Sequence, residues 1–347
     1  METKIIKINP KNPEISQIRI VVKILEKGCL VAFPTETVYG LGANALEVKA
    51  VKKIFEAKGR PADNPLIVHI AEKKEIYRLA REVPKKVEKL INKFWPGPLT
   101  IIFKKSKIVP DIITGGLDTI AIRMPSNKIA LALIKEAKMP IAAPSANFFG
   151  KPSPTAAKHV IQDLDGKIAA IIDGGETEIG VESSIIDLTT IPPTLLRPGG
   201  ITLEELKKLL GKIKIHPLVK GKQIKTFIAQ APGMKYKHYA PDAKIIVIEG
   251  EYQKVQKKIQ ELVDKYKLEG KFVGVMTTNE NHIYKADVIK FLGNDFNTIA
   301  KNLFKTFREF DEEKIDIIIA EGIIDKELGH AIMNRLRKAS DYNIIKI

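Results

Sequence analysis

Apolar positions along the first 210 residues follow two alternating rhythms. Short continuous runs at 29–33, 66–70, 99–103, 119–123, 141–143, 169–172 and 184–188 have the length of buried strands. Between them, apolar residues recur at three- and four-residue spacing, as at Val48, Val51 and Phe55, around Leu131, Leu133 and Ile134, and over 203–210; these predict amphipathic helices. The strands are joined largely by Pro- and Gly-rich corners, so the pattern predicts an α/β domain with a twisted, mixed sheet rather than a regularly repeated βαβ barrel. From residue 244 the alternation becomes regular: strand-like runs at 245–248, 272–276, 315–319 and 343–347 are separated by helical stripes such as Tyr252, Val255, Ile259, Val263 and Tyr266. Further helices are expected over 299–307 and 331–337. This is the pattern of a smaller, Rossmann-like parallel sheet. No GxGxxG or GxxxxGK[ST] loop opens it, so nothing in its sequence marks a dinucleotide or P-loop site.

Between the two, residues 211–241 read as a linker. The stretch 211–240 carries seven lysines and no acid, yet it runs into PGMKYKHYAP, whose aromatic and histidine side chains a passive tether does not need. The expected organisation is a domain over 1–210, a linker or lid over 211–241 and a second domain over 242–347.

Composition changes the picture in three places. A chain of 347 residues with 44% hydrophobic content is long enough for two cores. The formal charge of +16 points to an anionic partner; nucleic acid, nucleotide phosphates and a merely lysine-rich, thermophile-like surface all fit it. A single cysteine, Cys29, excludes an internal disulfide or a cysteine-based metal cluster, and its apolar neighbours predict a buried structural thiol. The longest apolar runs are too short to span a bilayer, and the amino terminus shows no apolar leader, so a cytoplasmic protein without membrane contact is expected.

Candidate chemistry gathers where strands end. In PTETVYGLG (34–42), Thr35 and Thr37 follow an apolar strand and suit a polar ligand at its carboxyl end; the same residues also suit a plain turn. In KGRPADNPL (58–66), Lys58 and Arg60 lie two apart in a segment read as extended, held by prolines and able to face one anion, with Asn64 adding an amide. His69 on the next strand reads by itself as a hydrogen-bonded core histidine. Arg123 ends an apolar strand and needs either solvent or a carboxylate. In APSANFFGKPSPT (143–155), small residues admit a ligand to the backbone, Ser145, Asn147 and Ser153 offer uncharged donors, and Thr155 is placed to cap the helix carrying His159. Ser183 lies in ESS before a strand, and Arg197 in LLRPGG before a turn. No catalytic triad, HExxH or spaced carboxylate pair occurs, so the set positions reactants and stabilises phosphate charge rather than forming a covalent intermediate.

These segments, together with WPGPLT (95–100), AIRMPS (121–126) and ESSIIDL (182–188), occur in the order found in the YrdC-type threonylcarbamoyl-AMP synthase family, which the chain resembles over residues 15–210; the linker and second domain resemble the family's long form. The resemblance implies a nucleotidyltransferase that makes L-threonylcarbamoyladenylate from L-threonine, bicarbonate (as CO2) and ATP, with Mg²⁺ on the phosphates and no organic cofactor, as the first step of threonylcarbamoyladenosine formation in tRNA. It assigns Lys58, Arg60, Asn64, Thr119, Ser145, Asn147, Ser153 and Arg197 to ATP, with Lys58 and Arg60 as the catalytic pair. Thr35, Thr37, His69, Arg123, Ala143 (through its backbone) and Ser183 go to threonine. Pro232, Tyr236 and His238 become a lid over the nucleotide. It also implies downstream contact with tRNA or a threonylcarbamoyl-transferase complex. The rival reading is a basic module that binds double-stranded RNA or tRNA without catalysis.

Overall fold

The computed structural model describes residues 2–219, 221, 229–234 and 238–347. The chain divides into two compact units: Met1–Phe149 with Ser153–Tyr236, and Gly150–Pro152 with Lys237–Ile347.

The first unit is built on a 12-stranded mixed sheet. Its centre is a parallel pair, Ile67–His69 beside Thr119–Arg123, in register so that His69 lies across from Arg123. Leu99–Lys105 runs antiparallel on the other side and sets Thr100 against Arg123. Ser184–Asp187 and then Thr194–Arg197 continue the sheet outward. On the opposite flank come Ile141–Ala142, Gly40–Asn44 and Val31–Phe33. Both faces are covered, which explains why the strands read as continuous apolar runs rather than alternating ones. Helix Ile15–Glu26 buries Ile18, Val21, Val22 and Leu25 and packs with helix Lys128–Ala137, whose first turn is capped by the Asn127 side chain accepting from Ile129 N (3.0 Å) and Ala130 N (3.2 Å). Helix Leu203–Leu210 starts on a reciprocal capping box between Thr202 and Glu205.

Several local expectations are corrected. The strand expected from residue 29 begins at Val31, so Cys29 falls outside it and is half-buried rather than a core thiol. Lys58 is not in an extended segment: it ends helix Val48–Lys58, and Gly59, with φ of 60°, turns the chain left-handed before Arg60. Thr155 caps nothing. The helix that carries His159, Ala157–Leu164, begins after Ala156 without a side-chain cap, and Thr155 N donates to His159 Nδ1 at 3.2 Å. Gly40–Asn44, which begins within the segment that also suited a plain turn, is a strand, and Lys214–Ile215, inside the expected linker, adds to the sheet beside Thr194–Arg197. Strand Lys4–Lys7, helix Ile15–Glu26 and helix Lys86–Phe94 were not anticipated.

The second unit holds five parallel strands in the order Val288–Phe291, Val273–Thr277, Ile317–Glu321, Lys244–Glu249, Ile344–Lys346. Helices Tyr252–Leu268, Phe296–Glu312 and Gly329–Ala339 connect them. This is the expected Rossmann-like sheet, with Val288–Phe291 as the strand its weak apolar content had hidden. Among the described residues, no helix is long and apolar enough to cross a membrane.

Candidate active site

The sequence motifs of the first unit converge because loops, not strands, are stitched together. Residues 144–146 lie along the start of strand Gly40–Asn44: Leu41 N donates to Pro144 O (2.7 Å) and Ala146 N to Tyr39 O (2.8 Å), while Tyr39 N donates to Pro154 O (2.8 Å). Ala143 N bonds Ile67 O at 3.0 Å, carrying that backbone to the central parallel pair. Ile179 N and Gly180 N donate to Glu36 O and Thr37 O, tying the Thr35–Thr37 loop to the segment before Ser183. Gly199 makes the last junction possible. A Cβ there would lie 2.3 Å from Glu182 O and Ser184 N, so only glycine lets the RPGG turn press against residues 182–184.

Two groups of side chains result. At the carboxyl end of the parallel pair, Arg123 Nη2 lies 2.8 Å from Glu36 Oε1, both residues being buried. Arg123 Nε also points to Gly97 O (3.4 Å), a carbonyl held in place by the WPGPLT loop, where the Trp95 indole donates to Leu99 O (2.7 Å). Thr100 and Ser183 share a hydroxyl–hydroxyl bond of 2.8 Å, and Arg197 donates to Ser183 O (3.0 Å) and Ser183 Oγ (3.1 Å). Arg197 Nη1 reaches Pro232 O at 3.5 Å. Thr35 and Thr37 hydroxyls lie 2.9 Å apart, Thr35 donating to Val38 O. Ser153 donates to Glu182 Oε1 at 2.6 Å.

The second group lies toward the amino end of the same strands. Lys58, 2% exposed, donates from Nζ to the carbonyls of Ser145 (2.6 Å) and Asn147 (2.5 Å), bracketing the ANFF turn. Arg60 Nη2 donates to Asn64 O (2.9 Å) and Pro65 O (3.0 Å), which folds the RPADNP loop onto itself. Thr119 begins the strand that Arg123 ends. Four residues at roughly 3.3 Å each place them about 13 Å apart. Asn64 is fully buried, and neither its Oδ1 nor its Nδ2 has a partner among the described residues. An amide left unsatisfied in the interior costs about 1–3 kcal/mol, so this one marks a place for a ligand or a water.

His69 is a core histidine, as its own context predicts, with backbone groups of Ile67 and Ile141 within hydrogen-bond reach of its ring. It is buried, its Nδ1 has no partner among the described residues, and burial together with the Arg123 charge lowers its pKa to about 3. The ring is therefore neutral in the folded protein across the physiological range. The unfolded chain takes up this proton near pH 6.5 and the folded chain only near pH 3. The ring's contribution to stability is thus complete above pH 6.5 and is lost as pH falls toward 3. Thermal melting from pH 7 to pH 4 should show a shallower loss of stability for His69→Gln than for the parent; parallel curves would show that the ring titrates normally.

Of the residues expected to form the site, Tyr236 lies outside the described residues. Pro232 belongs with the first unit: Ala229, Ala231 and Met234 around it pack with Ile67, Ala121, Ile185 and Leu196. His238 is grouped with the second unit, its ring 5.6 Å from Tyr239, which stacks on Phe304 at 5.2 Å. Sequence reasoning overlooked Glu36, Glu182 and Thr100. An acid flanked by two threonines directly after an apolar strand was the available signal for Glu36. Tyr39 also escaped notice; burial pushes its phenol upward, and it donates to Gly175 O (2.7 Å) while accepting from Gly174 N (3.2 Å).

A mixed sheet whose loops bury four cations and a hydroxyl pair makes a site suited to positioning anions. Residues 23–199 match the Sua5/YciO/YrdC family model, described as "Telomere recombination", and residues 201–341 match "Threonylcarbamoyl-AMP synthase, C-terminal domain". The chain is 59% identical to the threonylcarbamoyl-AMP synthase of Pyrococcus abyssi over 95% of its length and 96% of the relative's. It is 48% identical to that of Bacillus subtilis, over 98% and 96%. The crystal structure of Pyrococcus abyssi Sua5 complexed with L-threonine superposes with a TM-score of 0.95 at 58% identity, covering 99% of this chain and all of that one. The chain belongs to the Sua5/YciO/YrdC family, in the two-domain form of the threonylcarbamoyl-AMP synthases.

Proposed function

We propose that this chain is the nucleotidyltransferase that joins L-threonine, bicarbonate and ATP into L-threonylcarbamoyladenylate with release of pyrophosphate. The observation that carries this reading is the near full-length similarity to threonylcarbamoyl-AMP synthases, one of them crystallised with L-threonine. It favours catalysis over a basic module that only holds RNA. The threonine amine adds to CO2 from bicarbonate, giving an N-carboxylate and losing one proton. A carboxylate oxygen then attacks the α-phosphorus of ATP, the bond to the β-phosphate bridge breaks, and pyrophosphate leaves.

Two anions must meet, and the cations answer that need. Lys58 and Arg60, with Asn64, Thr119, Ser145, Asn147, Ser153 and Arg197, are assigned to the nucleotide. Thr35, Thr37, His69, Arg123, Ser183 and the Ala143 backbone are assigned to threonine and its carboxylate. A neutral His69 suits a pocket that already holds Arg123, since a second positive charge there would be repelled. Pro232, Tyr236 and His238 are assigned to the lid that keeps water from the mixed anhydride.

The donor set also fits magnesium carried in on ATP rather than held by the protein. Glu36 lies against Arg123 and Glu182 accepts from Ser153, and magnesium commonly binds through substrate phosphates and water. When bound, it neutralises charge on the phosphates. The product then serves threonylcarbamoyl transfer to tRNA adenosine, with tRNA or the transferase as the next partner.

The test is to supply ATP, Mg²⁺ and bicarbonate with each amino acid in turn. Pyrophosphate should appear with threonine alone, and its absence under every condition would refute the assignment. Arg123→Lys should raise the KM for threonine at least tenfold while changing that for ATP less than threefold, because a point charge replaces a planar fork. Equal losses for both substrates would move Arg123 out of the amino-acid pocket.

A further inference from the structure

The second unit contains a cavity of about 620 Å³ that the reaction above does not use. It sits at the carboxyl ends of three adjacent parallel strands, where Gly250, Thr278 and Gly322 follow Lys244–Glu249, Val273–Thr277 and Ile317–Glu321. Its position is not arbitrary. Ile246, Ile248, Val273, Val275, Ile317 and Ile319 face helix Tyr252–Leu268, while Gly274 on the opposite face lies against Phe310 of helix Phe296–Glu312. Strand Lys244–Glu249 feeds the helix on the first face. Its neighbour Ile317–Glu321 feeds helix Gly329–Ala339, which packs beside Phe296–Glu312 on the other. Neighbouring strands thus send the chain to opposite sides, and the crevice between the departing loops is where open α/β sheets bind ligands.

The lining has a definite chemistry. Val255, Phe296, Ile299, Ile323 and Ile324 form apolar walls. Glu321, 6% exposed, lies at the tip of its strand and accepts both of its hydrogen bonds, from Thr277 Oγ1 (3.0 Å) and Thr278 N (2.7 Å), on Oε2. Oε1 is the acceptor left over among the described residues, on a buried carboxylate that lines the cavity. The first N–H groups of helix Phe296–Glu312 are taken by Asp295 Oδ1, which accepts from Asn297 N (2.9 Å) and Thr298 N (3.1 Å). The helix terminus that commonly holds a phosphate is therefore filled by the protein's own carboxylate. Asp295, Glu321 and Lys326 are the charged residues of the lining, two acids against one base, in a chain whose formal charge is +16. An anion is disfavoured here, in contrast to the first unit.

We propose that this crevice binds an uncharged nucleoside, with Glu321 accepting from the ribose hydroxyls and the base lying along the Phe296, Ile299 and Val255 wall. A strand-end carboxylate is the group that recognises a ribose diol in sheets of this kind, and an aromatic ring with aliphatic neighbours suits a base's faces. The absence of a glycine-rich phosphate loop, already evident in the sequence, agrees with a ligand that brings no phosphate.

Photolabelling of the full-length protein with 8-azidoadenosine tests this. Label is expected within residues 250–255, 294–299 or 321–326, competed by adenosine and at least tenfold less by ATP at the same concentration. Ile324→Trp, at a position 67% exposed that can fill the cavity mouth without disturbing the core, should abolish that label and leave threonine-dependent pyrophosphate release unchanged. Glu321→Gln should reduce it at least tenfold. Label confined to the first unit, label that survives Ile324→Trp, or competition by ATP equal to that by adenosine would each overturn the proposal. Label in the first unit reports the ATP site separately, so the two assignments stand or fall independently.

Discussion

Glu36→Ala is expected to destabilise the first unit by about 3–5 kcal/mol, because it strands the buried Arg123 guanidinium without its carboxylate. The ion pair lies where surrounding loops exclude water, so solvent cannot replace the lost partner. The double variant Glu36→Ala/Arg123→Met should recover part of that loss, since it removes the uncompensated charge along with the pair. Urea unfolding of the two single variants and the double variant measures the coupling. A loss below about 1 kcal/mol for Glu36→Ala, the range of exposed pairs, would show that the site is open enough for water to solvate Arg123. Threonine use should fall in both single variants, because the pair fixes the orientation of the arginine fork as well as its charge.

Lys58→Met carries the second large effect. The side chain keeps much of its length and loses its charge, so the ammonium is removed with little change in packing. Threonine-dependent pyrophosphate release should fall by about 10²–10³, the usual consequence of deleting one charge-stabilising donor from a phosphate-handling site. Stability should fall by only about 1–3 kcal/mol, reflecting the loss of the donor to the Ser145 and Asn147 carbonyls. The two readouts separate roles. If turnover falls only as far as the folded fraction does, Lys58 is a strut for the ANFF turn; if turnover collapses in a folded protein, its charge acts on the phosphates.

Lys58 stands out in the sequence because a lysine and an arginine two apart beside prolines can face one anion together. Its local geometry was misread. The helical period of Val48, Val51 and Phe55 continues to residue 58, and the break at Gly59 is a left-handed turn that the proline-rich text after it had obscured. Glu36 was passed over because its partner lies 87 residues away (123 minus 36), and no local pattern reveals a charge pair closed by strand register.

Local sequence determined the alternation of strands and helices, the mixed sheet of the first unit and the parallel sheet of the second, because burial of one face or two imposes a period on the residues themselves. The tertiary structure alone decided that Arg123 answers to Glu36, that Ser183 rather than Ser184 joins Thr100 and Arg197, and that the amide of Asn64 has no partner among the described residues. It decided too that a crevice opens at the sheet tips of the carboxyl-terminal unit. These are consequences of register and of which loops meet above a sheet, and pairing over long separations is set by how the whole chain packs rather than by the composition of any one segment.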